Sequence, residues 1–161
     1  MVNKTIKGRL KLPMSSPWLL PVMVVIATAM AGYAMIDQPA NGLAGFGDFR
    51  LCAASRQQNC VIDGDTIRYG GLKIRLADID APEVYSPRCA SEAALGQRAT
   101  QRLLQLINAG PFTLVQRGAR DEDRYGRKLR VIERAGRSLA ATLVAEGLAR
   151  PWDGARRSWC G

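Results

Sequence analysis

Gly70 and Gly71 split residues 60–85, CVIDGDTIRYGGLKIRLADIDAPEVY, into two strand-like runs, the first carrying an Asp-Gly turn or bulge. A Gly-Gly pair between β-branched runs predicts a tight hairpin. In the second run Leu72, Ile74 and Leu76 alternate with Lys73 and Arg75, so one face is apolar and Arg75 points the other way. Five carboxylates are set into this hairpin, mostly at turn-like positions: Asp63, Asp65, Asp78, Asp80 and Glu83. Asp65 lies five residues before Gly70 and Asp80 nine after Gly71, so a flat ladder does not bring them to one end. A bulge or curl does, and a barrel strand supplies it. Arg75 and Asp80 are also an odd number of residues apart, which a regular strand sends to opposite faces. The chain must therefore leave strand geometry before Asp80.

Clustered carboxylates repel one another unless a cation or an arginine compensates. Hard oxygen ligands on irregular backbone suit Ca²⁺, and less readily Mg²⁺. The competing reading is solvated turn acids, each bonding its own backbone. An EF-hand is excluded: counting from Asp63, its fifth and twelfth positions fall on Ile67 and Ile74. No GxxxxGK[ST] phosphate loop occurs. The sequence has no histidine, which removes His-based zinc sites, Ser-His-Asp triads and His general bases. Any catalysis must then use carboxylates, Arg, Tyr, Lys, Cys or a metal held by oxygen. A cation beside Arg75 and Arg127 would make a phosphate site, and Glu83 near it could activate water. For either arginine alone, a surface salt bridge is the commoner explanation.

The net charge of +9 bears on the partner. Setting aside the first eleven residues leaves 19 basic against 14 acidic side chains, and 17 of the 19 are arginine. Guanidinium binds phosphate bidentately and keeps its charge, so nucleic acid leads the candidate anions. A generally basic, Arg-rich proteome would give the same charge.

Residues 12–36 carry no charge, and the dense apolar part, residues 18–36, is long enough to span a bilayer as a helix. Basic residues precede it, which puts the main domain across the membrane. Residues 1–36 read as a signal anchor or a cleaved signal peptide, 37–51 as a linker and 52–161 as the globular domain. The expected location is outside the cytoplasmic membrane, anchored through residues 18–36 if uncleaved and secreted otherwise. Four cysteines follow the apolar segment. In an exported domain they suggest disulfides, with Cys52–Cys60 and Cys89–Cys160 the favoured pairing and a four-thiolate zinc site the alternative.

Beyond the hairpin, Ser91 to Asn108 reads as a helix with Leu95, Ala99, Leu103 and Leu106/Ile107 as its apolar stripe. FTLVQRGA and RKLRVIERAG read as strands, and Ser138 to Gly147 as a second helix. The tail LARPWDGARRSWCG is basic and carries tryptophans. Strands, a helix, more strands and a helix make a small α+β domain or a partly open barrel.

VIDGDT (61–66), IRLADIDAPE (74–83) and DRYGRKLRVI (123–132) resemble, in order, the three signature stretches of the staphylococcal nuclease-like, or thermonuclease, family. LVAEGLAR (143–150) resembles that family's last helix. The resemblance covers roughly residues 58–152. It implies an α+β fold, a five-stranded OB-fold barrel with packed helices, here preceded by the N-terminal hydrophobic helix. It also implies Ca²⁺-dependent cleavage of DNA, RNA or both by a monomer, leaving 3′-phosphate and 5′-hydroxyl ends. Asp65 and Asp80 would be carboxylate ligands of Ca²⁺, Ala81 would lend its backbone carbonyl, and Asp63 would sit close, through water. Arg75 and Arg127 would hold the scissile phosphate, with Glu83 as general base. Arg124 and Tyr125 match positions that contact a nucleotide phosphate. Ala81 departs from the hydroxyl residue often found there, and Trp152 is one residue off the position of a base-stacking aromatic. A non-catalytic OB-fold module that binds nucleic acid in the cell envelope is the alternative.

Overall fold

The computed structural model describes residues 42–53 and 57–161. The expected targeting segment 1–36, its hydrophobic helix and residues 37–41 lie outside the described residues. Among the described residues no helix is long and apolar enough to cross a membrane.

The hairpin expected around Gly70-Gly71 is present. Strand β4 (Thr66–Tyr69) pairs antiparallel with β5 (Leu72–Leu76), with Tyr69 opposite Leu72. Both glycines have positive φ, +56° and +81°, the turn geometry that matches strand twist. Upstream, the Asp-Gly turn or bulge expected in VIDGDTIRY is a full reversal at Gly64-Asp65, between β3 (Cys60–Asp63) and β4. The burial of β5 also differs from simple alternation. Leu72 is exposed near the hairpin tip, while Ile74, Arg75 and Leu76 are all buried. The sheet curls there, and the side of β5 that carries Arg75 is covered as well.

The stretch 37–51 reads as a linker, yet from residue 42 onward it joins the sheet. Strand β1 (Gly42–Gly45) pairs with β7 (Phe112–Val115), and β2 (Arg50–Leu51) lies parallel to β3. Backbone pairing needs no side-chain pattern, so a Gly-rich strand is hard to recognise in sequence. Phe49 is buried, and the Asn108 amide both donates to and accepts from its backbone at 2.9 Å.

The main sheet runs β1-β7-β8-β5-β4-β3-β2, with β9 (Arg137–Ser138) beside β8 (Lys128–Arg134). The β5–β8 and β2–β3 pairings are parallel and the rest antiparallel. This eight-stranded, curled mixed sheet is a half-barrel of OB-like α+β type, with more and shorter strands than the five expected. A separate two-stranded pair joins β6 (Ile79–Asp80) to β10 (Arg150–Pro151). The hollow of the main sheet is filled by residues such as Val61, Ile67, Leu76 and Ile132 against Leu103 and Ile107 of helix α1 (Ala90–Asn108). Helix α2 (Ala140–Ala145) adds Leu143; it is shorter than expected because Arg137 and Ser138 extend the sheet first.

Both disulfides form as expected, Cys52–Cys60 and Cys89–Cys160. The second spans 71 residues and the first 8. Loop entropy in the unfolded chain then predicts about 4 kcal/mol of stabilisation for Cys89–Cys160 and about 2–3 kcal/mol for Cys52–Cys60. Urea unfolding of the two Cys→Ser pair variants checks this. Equal losses, or a larger loss from the short loop, would contradict it.

Candidate active site

Two turns carry the acids, and α1 seats both. A Cβ on Gly64 would meet Ala99 Cβ at 2.8 Å and Ala81 Cβ at 2.9 Å. A Cβ on Gly96 would meet the Pro82 carbonyl oxygen at 2.8 Å and that of Glu83 at 3.0 Å. Small residues at 64 and 96 thus let the Asp63–Asp65 turn and the Asp80–Glu83 turn lie against one helix face. Glu92, in the first turn of α1, is buried and does local work. Its carboxylate accepts from the backbone N–H of Arg88 at 2.7 Å and of Glu83 at 3.5 Å.

Asp65, Arg75 and Asp80 are 3%, 6% and 4% exposed, an unusual burial for charged groups. Arg75 Nη2 lies 3.1 Å from Asp65 Oδ2 and 3.7 Å from Asp80 Oδ1, and Nη1 donates to the Leu76 carbonyl at 3.0 Å. The chain leaves the strand after Leu76 and resumes at Ile79, the departure that the Arg75–Asp80 spacing requires. The neighbouring register pair, Thr66 opposite Arg75, completes this corner. Thr66 Oγ1 donates to Asp65 Oδ1 at 2.8 Å and accepts from Arg127 Nη1 at 3.3 Å. Asp123 fixes Arg127 from the other side, accepting from its Nε at 2.7 Å. The parallel β5–β8 pairing is what brings Arg127, just before β8, beside Arg75.

Asp63 caps its own turn, accepting from the Asp65 N–H at 3.0 Å. Burial, and then the nearby Asp65 charge, push its carboxyl up to about 7. Burial also raises Asp80, and Asp65 adds to this, while Arg156, the Trp159 indole and Arg75 pull it back. Burial of these carboxylates favours positive charge beside them in addition to Arg75.

Two buried oxygens show where that charge would sit. Asp65 Oδ2 and Asp80 Oδ1 face guanidinium groups but have no hydrogen-bond partner in acceptable geometry. Orphaned, desolvated carboxylate oxygens fit a hard divalent cation. Among the described residues the one cluster of three metal-type side chains is Cys89, Glu92 and Cys160, and its cysteines are bound in a disulfide. The acid site itself offers two buried carboxylates, Asp65 and Asp80.

A cavity of about 480 Å³ opens beside Arg75, lined also by Arg127, Arg124, Tyr125 and Trp152. Arg124 Nη2 donates to the Tyr125 hydroxyl at 2.6 Å, and the guanidiniums of Arg124 and Arg127 lie 4.8 and 5.5 Å from its ring centre. The Trp152 ring lies 4.9 Å from the Arg75 guanidinium, so the tryptophan that is one residue off in sequence does reach the site. It is held there by β10 pairing with β6 and by its N–H donating to the Asp78 carbonyl at 2.9 Å.

Three further residues, Arg120, Arg156 and Trp159, escape sequence reasoning. Arg120 and Arg156 line the same cavity. Arg156 pairs through Nη1 with Glu83 Oε1, and its Nε is 3.5 Å from Asp80 Oδ1. Trp159 Nε1 donates to Asp80 Oδ2 at 3.3 Å. The basic, Trp-bearing tail is the available signal, but only the Cys89–Cys160 tie shows that it crosses the acids.

The family described as "Staphylococcal nuclease homologue" matches residues 73–158, just over half the chain. Endonuclease YncB of Bacillus subtilis (strain 168) is 38% identical over 93 residues, covering 55% of this chain and 44% of that protein. The SPbeta prophage-derived endonuclease YokF of the same strain is 37% identical over 93 residues, covering 55% of this chain and 31% of that protein. Micrococcal nuclease of Shigella flexneri is 36% identical over 102 residues, covering 55% and 53% respectively. The chain spans about half or less of the length of these relatives.

Proposed function

The chain belongs to the staphylococcal nuclease homologue family, and from that premise we propose that it is a nuclease hydrolysing phosphodiester bonds of DNA, RNA or both, with Ca²⁺ as its metal. The observation that carries this reading is the buried Asp65–Arg75–Asp80 cluster opening onto an arginine-lined cavity with aromatic walls.

Asp65, Asp80 and the Ala81 carbonyl would hold the cation, which when bound supplies positive charge to polarise the phosphoryl oxygens. Arg75 and Arg127 bind the phosphate from the cavity side and stabilise the negative charge that builds on it under attack. Arg124 and Tyr125 position an adjoining phosphate, and Trp152 offers a flat face to a base. Glu83 accepts a proton as the water oxygen bonds to phosphorus. The phosphorus–5′-oxygen bond breaks, and the leaving oxygen takes a proton from solvent, giving 3′-phosphate and 5′-hydroxyl ends.

The same reading has the domain exported. Two disulfides support an oxidising compartment. Residues 18–36 would anchor the chain in the membrane if uncleaved, and the domain would act as a monomer.

The purified protein is expected to cleave single-stranded DNA in Ca²⁺ and to stop in EGTA. Cleavage that persists in EGTA would remove the metal from the mechanism. A folded protein that binds DNA but leaves it intact under every metal would favour a binding module.

A further inference from the structure

Arg156 lies on the boundary between two spaces. One is the large cavity of Arg75 and Arg127. The other is a crevice of about 40 Å³ beside Asp80, Ala81 and Glu83. Its guanidinium is turned to the crevice, paired with Glu83 and within 3.5 Å of Asp80 Oδ1. These are the oxygens assigned above to water activation and to the cation.

The backbone that carries Arg156 is fixed on both sides. Upstream, the Trp152 N–H donates to the Asp78 carbonyl. Downstream, Trp159 bonds Asp80 and stacks 3.7 Å under the Arg150 guanidinium, and Cys160 is tied to Cys89. The disulfide ties the end of the tail covalently beside the site. The Arg156 side chain is 45% exposed and meets these acids through ion pairs. Its neighbour Arg157 lines the same crevice but pairs with Asp153.

We propose that Arg156 is a resident counter-cation of the acid cluster, which a metal ion displaces and which then turns into the adjoining cavity to bind the substrate phosphate. The inference rests on the nuclease reading above. Its physical content is simple. Buried carboxylates need compensation at all times, and a tethered guanidinium provides it when no metal is bound. A divalent cation on Asp80 repels that guanidinium and takes its partner. The nearest unfilled site for a planar, bidentate cation is then a phosphate in the cavity it already lines. Metal binding would thereby add a third phosphate-binding arginine to Arg75 and Arg127, so metal and substrate bind cooperatively.

Calorimetric titration of the wild type and Arg156→Ala tests this without turnover, using Ca²⁺ alone and then a deoxynucleoside 3′,5′-bisphosphate in saturating Ca²⁺. The bisphosphate has no diester to cleave. Arg156→Ala is expected to bind Ca²⁺ about fivefold or more tightly, and the bisphosphate about tenfold more weakly, than the wild type. Arg156→Lys should restore competition with Ca²⁺ but only part of the bisphosphate affinity. A merely structural role weakens both ligands together, and that result, or no change in either, overturns the proposal. Absence of Ca²⁺ binding in the wild type overturns the metal reading and this inference with it. Ca²⁺ binding of equal strength in both proteins overturns the inference alone.

Discussion

Arg75→Lys is expected to lower kcat/KM on single-stranded DNA by about 10²–10³-fold, nearly as much as Arg75→Ala. The two substitutions differ in charge but not in the feature that counts. Arg75 uses Nη1 on the Leu76 carbonyl while Nη2 faces Asp65 and Asp80 together. Its guanidinium carbon lies over the Trp152 ring, 4.9 Å from the ring centre. A lysine ammonium is one point charge without a fork or a flat face, so it cannot hold those partners and also present two parallel donors to a phosphate. The stability readout separates the pair. Arg75→Ala leaves two buried carboxylates without that partner and should cost about 3–5 kcal/mol. Arg75→Lys keeps the charge and should cost much less. Near-normal turnover in the lysine variant would remove the bidentate role. Equal stability of the two variants would mean that the buried cluster relaxes or takes up water.

The hairpin was legible because its signals are local. Gly70-Gly71 specifies a turn, and the Arg75-to-Asp80 spacing requires the chain to leave strand geometry before Asp80, which it does after Leu76. The acids that share Arg75 follow from those two facts. The contents of the cavity are less local. Arg127 reaches Thr66 only because β8 lies parallel to β5, a pairing with no short-range signature. Trp152 is the sharpest case. Counted along the chain it is displaced by one, and a one-residue shift reverses a side chain on a regular strand. Here β10 is only two residues long, and the Asp78 carbonyl catches the backbone at Trp152, so the ring still meets Arg75. Residues 42–51 escaped for the opposite reason: β1 is held by backbone pairing, and its glycines give no alternation to read. The tail escaped because arginines without a period resemble a solvated end. Its path depends on a disulfide that closes 71 residues of chain.

Glu83→Gln should lower kcat by about 10²–10⁴-fold while KM and the melting temperature stay close to those of the wild type. The position makes this a clean test. Glu83 is not part of the buried Asp65–Arg75–Asp80 cluster; its side chain is 36% exposed. Its loop is placed by backbone contacts, the close approach of Gly96 and the Glu92 carboxylate, which a change of side chain does not touch. Glutamine has the same shape and can still accept a hydrogen bond from Arg156, so the tail should keep its course. What glutamine cannot do is take a proton from water. A loss confined to kcat therefore reports proton transfer, whereas a matching rise in KM would report a binding role. If turnover falls less than tenfold, Glu83 is not the base. Its pairing with Arg156 would then be its whole contribution, and the water would have to be activated by other groups at the site.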